Sequence, residues 1–340
     1  MNMLIHKLLY FFLLLIPFHT GFAQDQNAAT LHETARSLMR QGDFENAQLV
    51  LDKALLLQPN DLDLLKDKAF IYYLQRDFAN SIELGKKLAA RPDADVQSIQ
   101  ILGLGYKAIA DEKESDKMYK AALKKFPGSG VLYSEYGDLL ATAGSTEAIK
   151  QWEQGIEKDP NYSGNYYYAA KYYAQNGNIV WGLLYSEIFV NLESLSARTN
   201  EIKNILFGGY QKLFSDLSIL NKAKQTGTAF EKTVAANFGK LTGLMTNGVT
   251  PETLTALHTR FILNWFAGDG RQFPFRLFEQ QRQLLQEGYF DAYNQWLIGA
   301  VADTQKFQVW MQNNAEDAKA FQKYQGSVIF KMPAGQYYPH

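Results

Sequence analysis

Small side chains recur every 34 residues through the first half of this 340-residue chain, at Ala47, Ser81, Ser115, Ala148 and Gly182. A second series lies upstream at Ala35, Ala69, Gly103, Gly137 and Ala170, and both series lose a single residue around Gly144. Large apolar or aromatic residues follow three positions after each member of the second series, at Leu38, Tyr72, Tyr106, Leu140 and Tyr173. Two ladders running in phase are not an accident of composition. A period of this length marks a repeat whose units each bury an apolar face only by stacking on a neighbour.

The spacing predicts pairs of short antiparallel helices. Small residues at the helix crossing let two backbones approach, and the large residue one turn away fills the groove towards the next pair. Pro59, Pro92, Pro127 and Pro160 close the first four units, where a proline stops the second helix.

This pattern resembles the tetratricopeptide repeat (TPR) family. The third unit carries it most fully, in Ile99, Leu102, Gly103, Tyr106, Ser115, Tyr119, Ala122 and Pro127. The first unit matches at Leu31, Ala35, Leu38, Ala47, Leu51, Ala54 and Pro59, and the fourth at Tyr136, Gly137, Ala148, Trp152, Gly155 and Pro160. The second unit departs from the pattern at Gly85 and Leu88, and the fifth at Ser186, Phe189 and Ser194. The resemblance covers residues 28–195 and implies an all-α chain: a TPR α-solenoid of about five helix-turn-helix repeats (28–61, 62–95, 96–129, 130–162 and 163–195), followed by a helical C-terminal region over 196–340.

In TPR proteins the first helix of each pair lines a groove that holds another protein or a peptide segment. Carried over to this chain, that surface comprises His32, Arg36, Lys66, Phe70, Tyr73, Gln100, Lys107, Tyr167 and Lys171. Its basic and aromatic character suits an extended segment with a carboxylate or acidic side chains. The family's carboxylate clamp of Lys and Asn is not reproduced. The run Tyr166, Tyr167 and Tyr168 could equally stack on a sugar ring, so glycan binding stands as an alternative.

Beyond residue 195 the ladder fades while helix punctuation continues. Thr250, Pro251 and Glu252 read as an N-cap, a proline at the first helical position and a first-turn acid. Leu254, Leu257, Phe261 and Trp265 form the stripe of an amphipathic helix that ends at Gly268. Further helices are expected at about 197–216, 274–288, 289–302, 303–313 and 315–325, a long loop within 221–249, and an irregular tail from Met332. No linker rich in Pro, Gly or Ser separates the halves, so an intimate continuation is expected.

Residues 1–23 have the order of a secretory signal: Lys7, the apolar run from Leu8 to Ile16, and the small-residue stop Gly21-Phe22-Ala23. Cleavage after Ala23 is expected. The apolar run is far short of the roughly 20 residues that span a bilayer, so no integral span remains after cleavage. The destination is periplasmic or otherwise exported. The chain has no Cys, which excludes disulfides, thiolate metal ligation and thiol catalysis. A net charge of -1 excludes a global field for nucleic acid.

Past the signal only His32, His258 and His340 remain, without acidic partners at ligand spacing in the sequence. No catalytic or metal motif is present, so neither catalytic residues nor cofactors are expected. The leading reading is a scaffold or adaptor in the bacterial cell envelope that is not an enzyme. The alternatives are an enzyme or glycan-binding protein with its site in the C-terminal region, or a structural spacer.

Overall fold

A computed structural model describes residues 27–339; the expected signal at 1–23 lies outside them. Ten helices alternate with short turns through the repeat region: α1 (Ala28–Arg40), α2 (Phe44–Leu57), α3 (Leu62–Leu74), α4 (Phe78–Ala89), α5 (Val96–Ala108), α6 (Glu112–Lys125), α7 (Gly130–Thr142), α8 (Ala148–Lys158), α9 (Ser163–Asn176) and α10 (Ile179–Leu192). They make five hairpins. The chain divides into two compact units, with the boundary between Leu84 and Gly85 inside α4.

Local chemistry sets the helix starts. Asn27, Asp43, Asp61, Asp95, Asp111 and Asn178 each accept the backbone N–H three residues on, which satisfies a donor that the first turn leaves free. The turn inside each hairpin passes through a left-handed residue, at Gly42, Arg76, Ala110, Gly144 and Gly177. Glycine adopts this backbone freely, whereas Arg76 and Ala110 hold it at a cost of roughly 1 kcal/mol each. In four hairpins the second helix begins two residues after this position, but α8 begins at Ala148, four residues after Gly144, with no side-chain cap. The small rung follows the left-handed residue by five positions in those four hairpins and by four here, so the residue missing from the ladder is lost between Gly144 and Ala148.

Both small-residue ladders are buried. Ala35, Ala47, Ala69, Ser81 and Ala170 have no exposed surface, and the Ser81 hydroxyl donates to the Ala69 carbonyl at 2.9 Å, binding the two helices of its hairpin at the crossing. In the first unit Leu31, Ala35, Ala47, Leu51, Ala54, Leu64 and Ile71 form one core across α1, α2 and α3.

In the second unit a single core runs from Ala148 to Met332, so the last two hairpins and the C-terminal region share an interior. Helices α11 (Ala197–Ser215), α12 (Ser218–Thr226), α13 (Ala229–Gly239), α14 (Pro251–Ala267), α15 (Arg276–Gln286) and α16 (Phe290–Asn294) build it. A π turn over Gln295–Gly299, then α17 (Ala300–Ala302), α18 (Thr304–Asn313) and α19 (Ala315–Ser327), complete the helical part. The stripe expected in α14 is fully interior: Leu254, Leu257, Phe261 and Trp265 are each at most 1% exposed. Where a long loop is expected within 221–249, the structure has the end of α12, all of α13 and a short 3-10 turn over Thr242–Met245. Phe230, Val234 and Phe238 are buried along one face of α13, a stripe too short to stand out between Gly227, Gly239, Gly243 and Gly248.

The tail after α19 is irregular yet docked. Asn161 and Met332 exchange two hydrogen bonds, Asn161 Nδ2 to the Met332 carbonyl at 3.1 Å and Met332 N–H to Asn161 Oδ1 at 2.9 Å. The ring of Tyr338 stacks on Phe230 at 4.7 Å, and its carbonyl accepts from the Thr228 hydroxyl. Phe330 and Met332 are buried in the same core.

A polar network crosses that core. Glu187 on α10, only 2% exposed, accepts from Gln281 Nε2 at 2.5 Å and from the Tyr293 hydroxyl at 2.6 Å. Asn191, one turn on, donates to Tyr293 and accepts from Gln280. Nearby, His258 lies 2.8 Å from both the Tyr210 hydroxyl and Asn294 Oδ1. Asn294 Nδ2 donates to the Phe290 carbonyl, so its oxygen faces the ring. Nδ1 of His258 therefore carries the proton and donates, while Nε2 accepts from Tyr210.

Burial pushes the His258 pKa below its ordinary value, against the pull of the Glu187 charge and the Asn294 bond. The unfolded chain thus binds the proton more readily than the folded one. Stability is complete above the unfolded value of about 6.5 and falls as pH drops from there towards the lower folded value. Urea midpoints measured between pH 7.5 and pH 5 should decline in wild type and decline less in His258→Gln; parallel declines would reject the assignment.

Candidate functional site

In the second unit, α5, α7, α9 and α11 together with the second helix α6 border a cleft of about 300 Å³. Its walls include Leu104, Tyr106, Tyr119, Leu139, Tyr162 and Tyr168. The repeat itself places them: Tyr106 follows the small Gly103 by one turn, and Tyr168 is held flat on Trp152 at 5.2 Å with the rings 9° from parallel. Trp152 packs against Gly137 and donates its indole N–H to the Ser134 carbonyl at 3.2 Å. Burial pushes the phenols of Tyr119, Tyr162 and Tyr168 above their ordinary value, so each remains a neutral hydrogen-bonding group.

Polar groups converge on the same cleft. Glu135 on α7 accepts from Gln100 Nε2 at 2.7 Å and from the Tyr119 hydroxyl at 3.3 Å. Burial raises its pKa despite these two bonds. Lys107 pairs with Asp138 at 2.8 Å, and this bond holds the lysine pKa above the ordinary value. Arg198 grips Glu193 through Nε at 3.0 Å and Nη2 at 2.5 Å, with its guanidinium over the Tyr167 and Phe189 rings. Burial pushes the Glu193 carboxyl up, but bonds from Arg198, Ser196 and Ser163 outweigh it and hold the pKa down.

Of the residues expected to line the groove, Gln100 and Lys107 line this cleft. Tyr167 and Lys171 lie beside it on α9 and both bond to Glu201 of α11, the lysine at 2.7 Å. In the first unit, His32 and Arg36 on α1 converge on Asp67 of α3 at 2.6 and 2.7 Å. Lys66 is 4% exposed and bonds to Asp63, and Phe70 stacks on Tyr73 at 6.0 Å. Three of the first helices share a pattern: side chains of α1, α5 and α9 reach α3, α7 and α11 respectively, 30 to 35 residues on, and the bases among them meet acids there. His32 thus has an acidic partner in space that its sequence neighbourhood hides.

The sequence reading missed Glu135, Asp138, Tyr162 and Arg198; it had Tyr119 only as a packing position of the third repeat and Tyr168 only as part of the tyrosine run. Asp138 was accessible to it, because it occupies the rung of Arg36, Phe70 and Lys171, one residue after the small position. Glu135 and Tyr168 sit two residues before the small position, off the groove rungs. Arg198 belongs to α11, beyond the ladder.

In the C-terminal region a cavity of about 30 Å³ is lined by amides, Ser194 and aromatic rings, among them Asn191, Gln280 and Tyr293. Among the described residues no cluster of three His, Cys, Asp or Glu could hold a metal, and no helix is long and apolar enough to cross a membrane.

Neither known protein families nor curated proteins give a match to the sequence. Solved structures do. TTC0263, a thermophilic TPR protein of Thermus thermophilus, is 17% identical with a TM-score of 0.44, covering 53% of this chain and 98% of that one. YrrB, described as a TPR protein with an unusual peptide-binding site, is 18% identical with a TM-score of 0.37, covering 53% and 93%. A tetratricopeptide repeat protein from Parabacteroides merdae is 13% identical with a TM-score of 0.31, covering 90% and 94%. The in-phase ladders and the five hairpins they build make residues 28–192 an array of helix-turn-helix repeats of the tetratricopeptide kind in fold, and the described residues form an all-α structure.

Proposed function

We propose that this chain is an exported scaffold or adaptor of the bacterial cell envelope that holds an extended segment of another polypeptide against the first helices of its repeats. The observation that carries the reading is the cleft bordered by α5, α6, α7, α9 and α11, where the stacked rings of Tyr119 and Tyr168 stand beside convergent polar groups. Such a mixture of apolar wall and few oriented polar groups is what ligand sites are made of. Hydrogen bonding between successive first helices fixes the walls in advance, which lowers the ordering cost of binding. Export rests on the N-terminal residues alone, whose charged, apolar and small-residue segments follow in signal order.

Leu104 lines the cleft and is 36% exposed, so a photo-crosslinking amino acid placed there reports occupancy without removing a tyrosine. In intact cells, irradiation should yield a covalent adduct with a specific polypeptide. The same probe at exposed Lys232 on α13 should yield little. Equal adduct at the two sites would remove the cleft reading. Mass analysis of the bait should show a mature chain beginning at Gln24; an intact Met1 would remove the export reading.

A further inference from the structure

The charge carried by the cleft is the opposite of what the groove lysines suggest. Its charged lining consists of Lys107, Asp111, Glu112, Glu135, Asp138 and Arg198. Lys107 is neutralised by Asp138, and Arg198 by Glu193 just outside the lining. Three acids remain. Asp111 caps α6 by accepting from Glu114 N–H, and Glu112 stands exposed in the first turn of that helix. Glu135 is set into the wall, and its two hydrogen-bond donors, Gln100 and Tyr119, are both neutral.

Around these acids stand Tyr106, Tyr119, Tyr162 and Tyr168. The face of an aromatic ring carries partial negative charge and attracts a cation, most strongly where water is excluded. A carboxylate among tyrosines is matched by an ammonium or guanidinium at the end of an aliphatic stem, because the stem packs on the rings while the head meets the acid. An acidic side chain in the same place would face Glu135 without a free cation to offset it. At about 300 Å³ the cleft is at the lower end of ligand-site volumes, the scale of one long side chain with its flanking backbone.

We propose that the cleft takes a lysine or arginine side chain of an extended polypeptide, with Glu135 as its counter-ion and the tyrosines as its walls. This rests on the polypeptide-binding reading and gives that ligand its charge.

The test uses the mature chain and four fluorescein-labelled Gly-Ser peptides whose central residue is Arg, Lys, citrulline or Glu, followed by anisotropy at low salt. The Arg and Lys peptides should bind at least tenfold more tightly than the citrulline and Glu peptides. Glu135→Gln, which keeps the side-chain shape but removes the charge, should bring the Arg and Lys peptides to within about twofold of the citrulline peptide measured on the same variant. Lys107→Met works in the other direction: it frees Asp138 and should tighten the Arg peptide several-fold, where a site for acidic segments would weaken. The proposal is overturned if the Glu or citrulline peptide binds as well as the Arg peptide, if neither cationic peptide saturates, or if Lys107→Met weakens Arg-peptide binding. Should that happen while the Leu104 probe still captures a polypeptide in cells, the charge assignment falls and the polypeptide reading stands. Should Leu104 capture nothing, the polypeptide reading itself falls.

Discussion

Glu187→Ala should lower the stability of the second unit by about 3–5 kcal/mol, because it strands two buried donors at about 1–3 kcal/mol each and opens space in a closed core. Gln281 Nε2 and the Tyr293 hydroxyl both end on one oxygen of Glu187, and all three residues are at most 2% exposed. Glu187→Gln keeps an acceptor oxygen and should cost only about 1 kcal/mol. All five tryptophans, from Trp152 to Trp310, lie after Gly85, so tryptophan fluorescence during urea unfolding reads this unit alone. A loss below 1 kcal/mol for the alanine variant would show that the network does not tie α10 to α15 and α16.

Gly137→Ala should cost at least about 2 kcal/mol and disable the cleft as well, since overpacking an interior by one methyl typically costs 1–3 kcal/mol. A Cβ at Gly137 would meet Trp152 Nε1 at 2.2 Å and Cδ1 at 2.5 Å. The indole cannot swing aside freely, because it donates to the Ser134 carbonyl and lies flat against Tyr168. Moving Trp152 therefore moves Tyr168, a wall of the cleft, and adduct formation through Leu104 should fall with stability. Reducing the ring in the double variant Gly137→Ala with Trp152→Phe should recover part of the loss, a coupling measurable as a departure from additivity. Additive losses would indicate that the backbone of α7, rather than the ring, absorbs the methyl.

The Gly137–Trp152 contact also shows how much of the molecule was written legibly in the chain. A repeat prints the same requirement several times, so the crossing of two helices appears as Ala, Gly or Ser on one rung and is recognisable from any two hairpins. The left-handed turn is harder to see, because Arg76 and Ala110 stand where glycine stands in the other three hairpins. Past Leu195 nothing is printed twice. There α14 was readable from its cap, proline and long apolar stripe, while α13 was not, since its stripe is short and flanked by glycines.

The cleft was readable only in part. Gln100 and Lys107 follow from the family's groove positions, but their partners Glu135 and Asp138 come from the next repeat. A lysine considered alone suggests an acidic ligand. The same lysine with its ion pair in place leaves Glu135 to set the sign, and only the three-dimensional pairing shows that the charge has already been used.

The strap that runs from Phe330 to Tyr338 fixes how this architecture can change. Repeat proteins lengthen by duplicating a unit, and a duplicated hairpin needs a bare apolar end on which to stack. Here that end is occupied: α11 packs on α9 and α10, and the strap ties the turn before α9 at Asn161 to α13 at Phe230. A hairpin inserted after Leu192 would have to displace α11 and pull apart the two ends that the strap joins, whereas one inserted further upstream would keep the seal intact. Growth of the array, in evolution or by engineering, is thereby confined to its front.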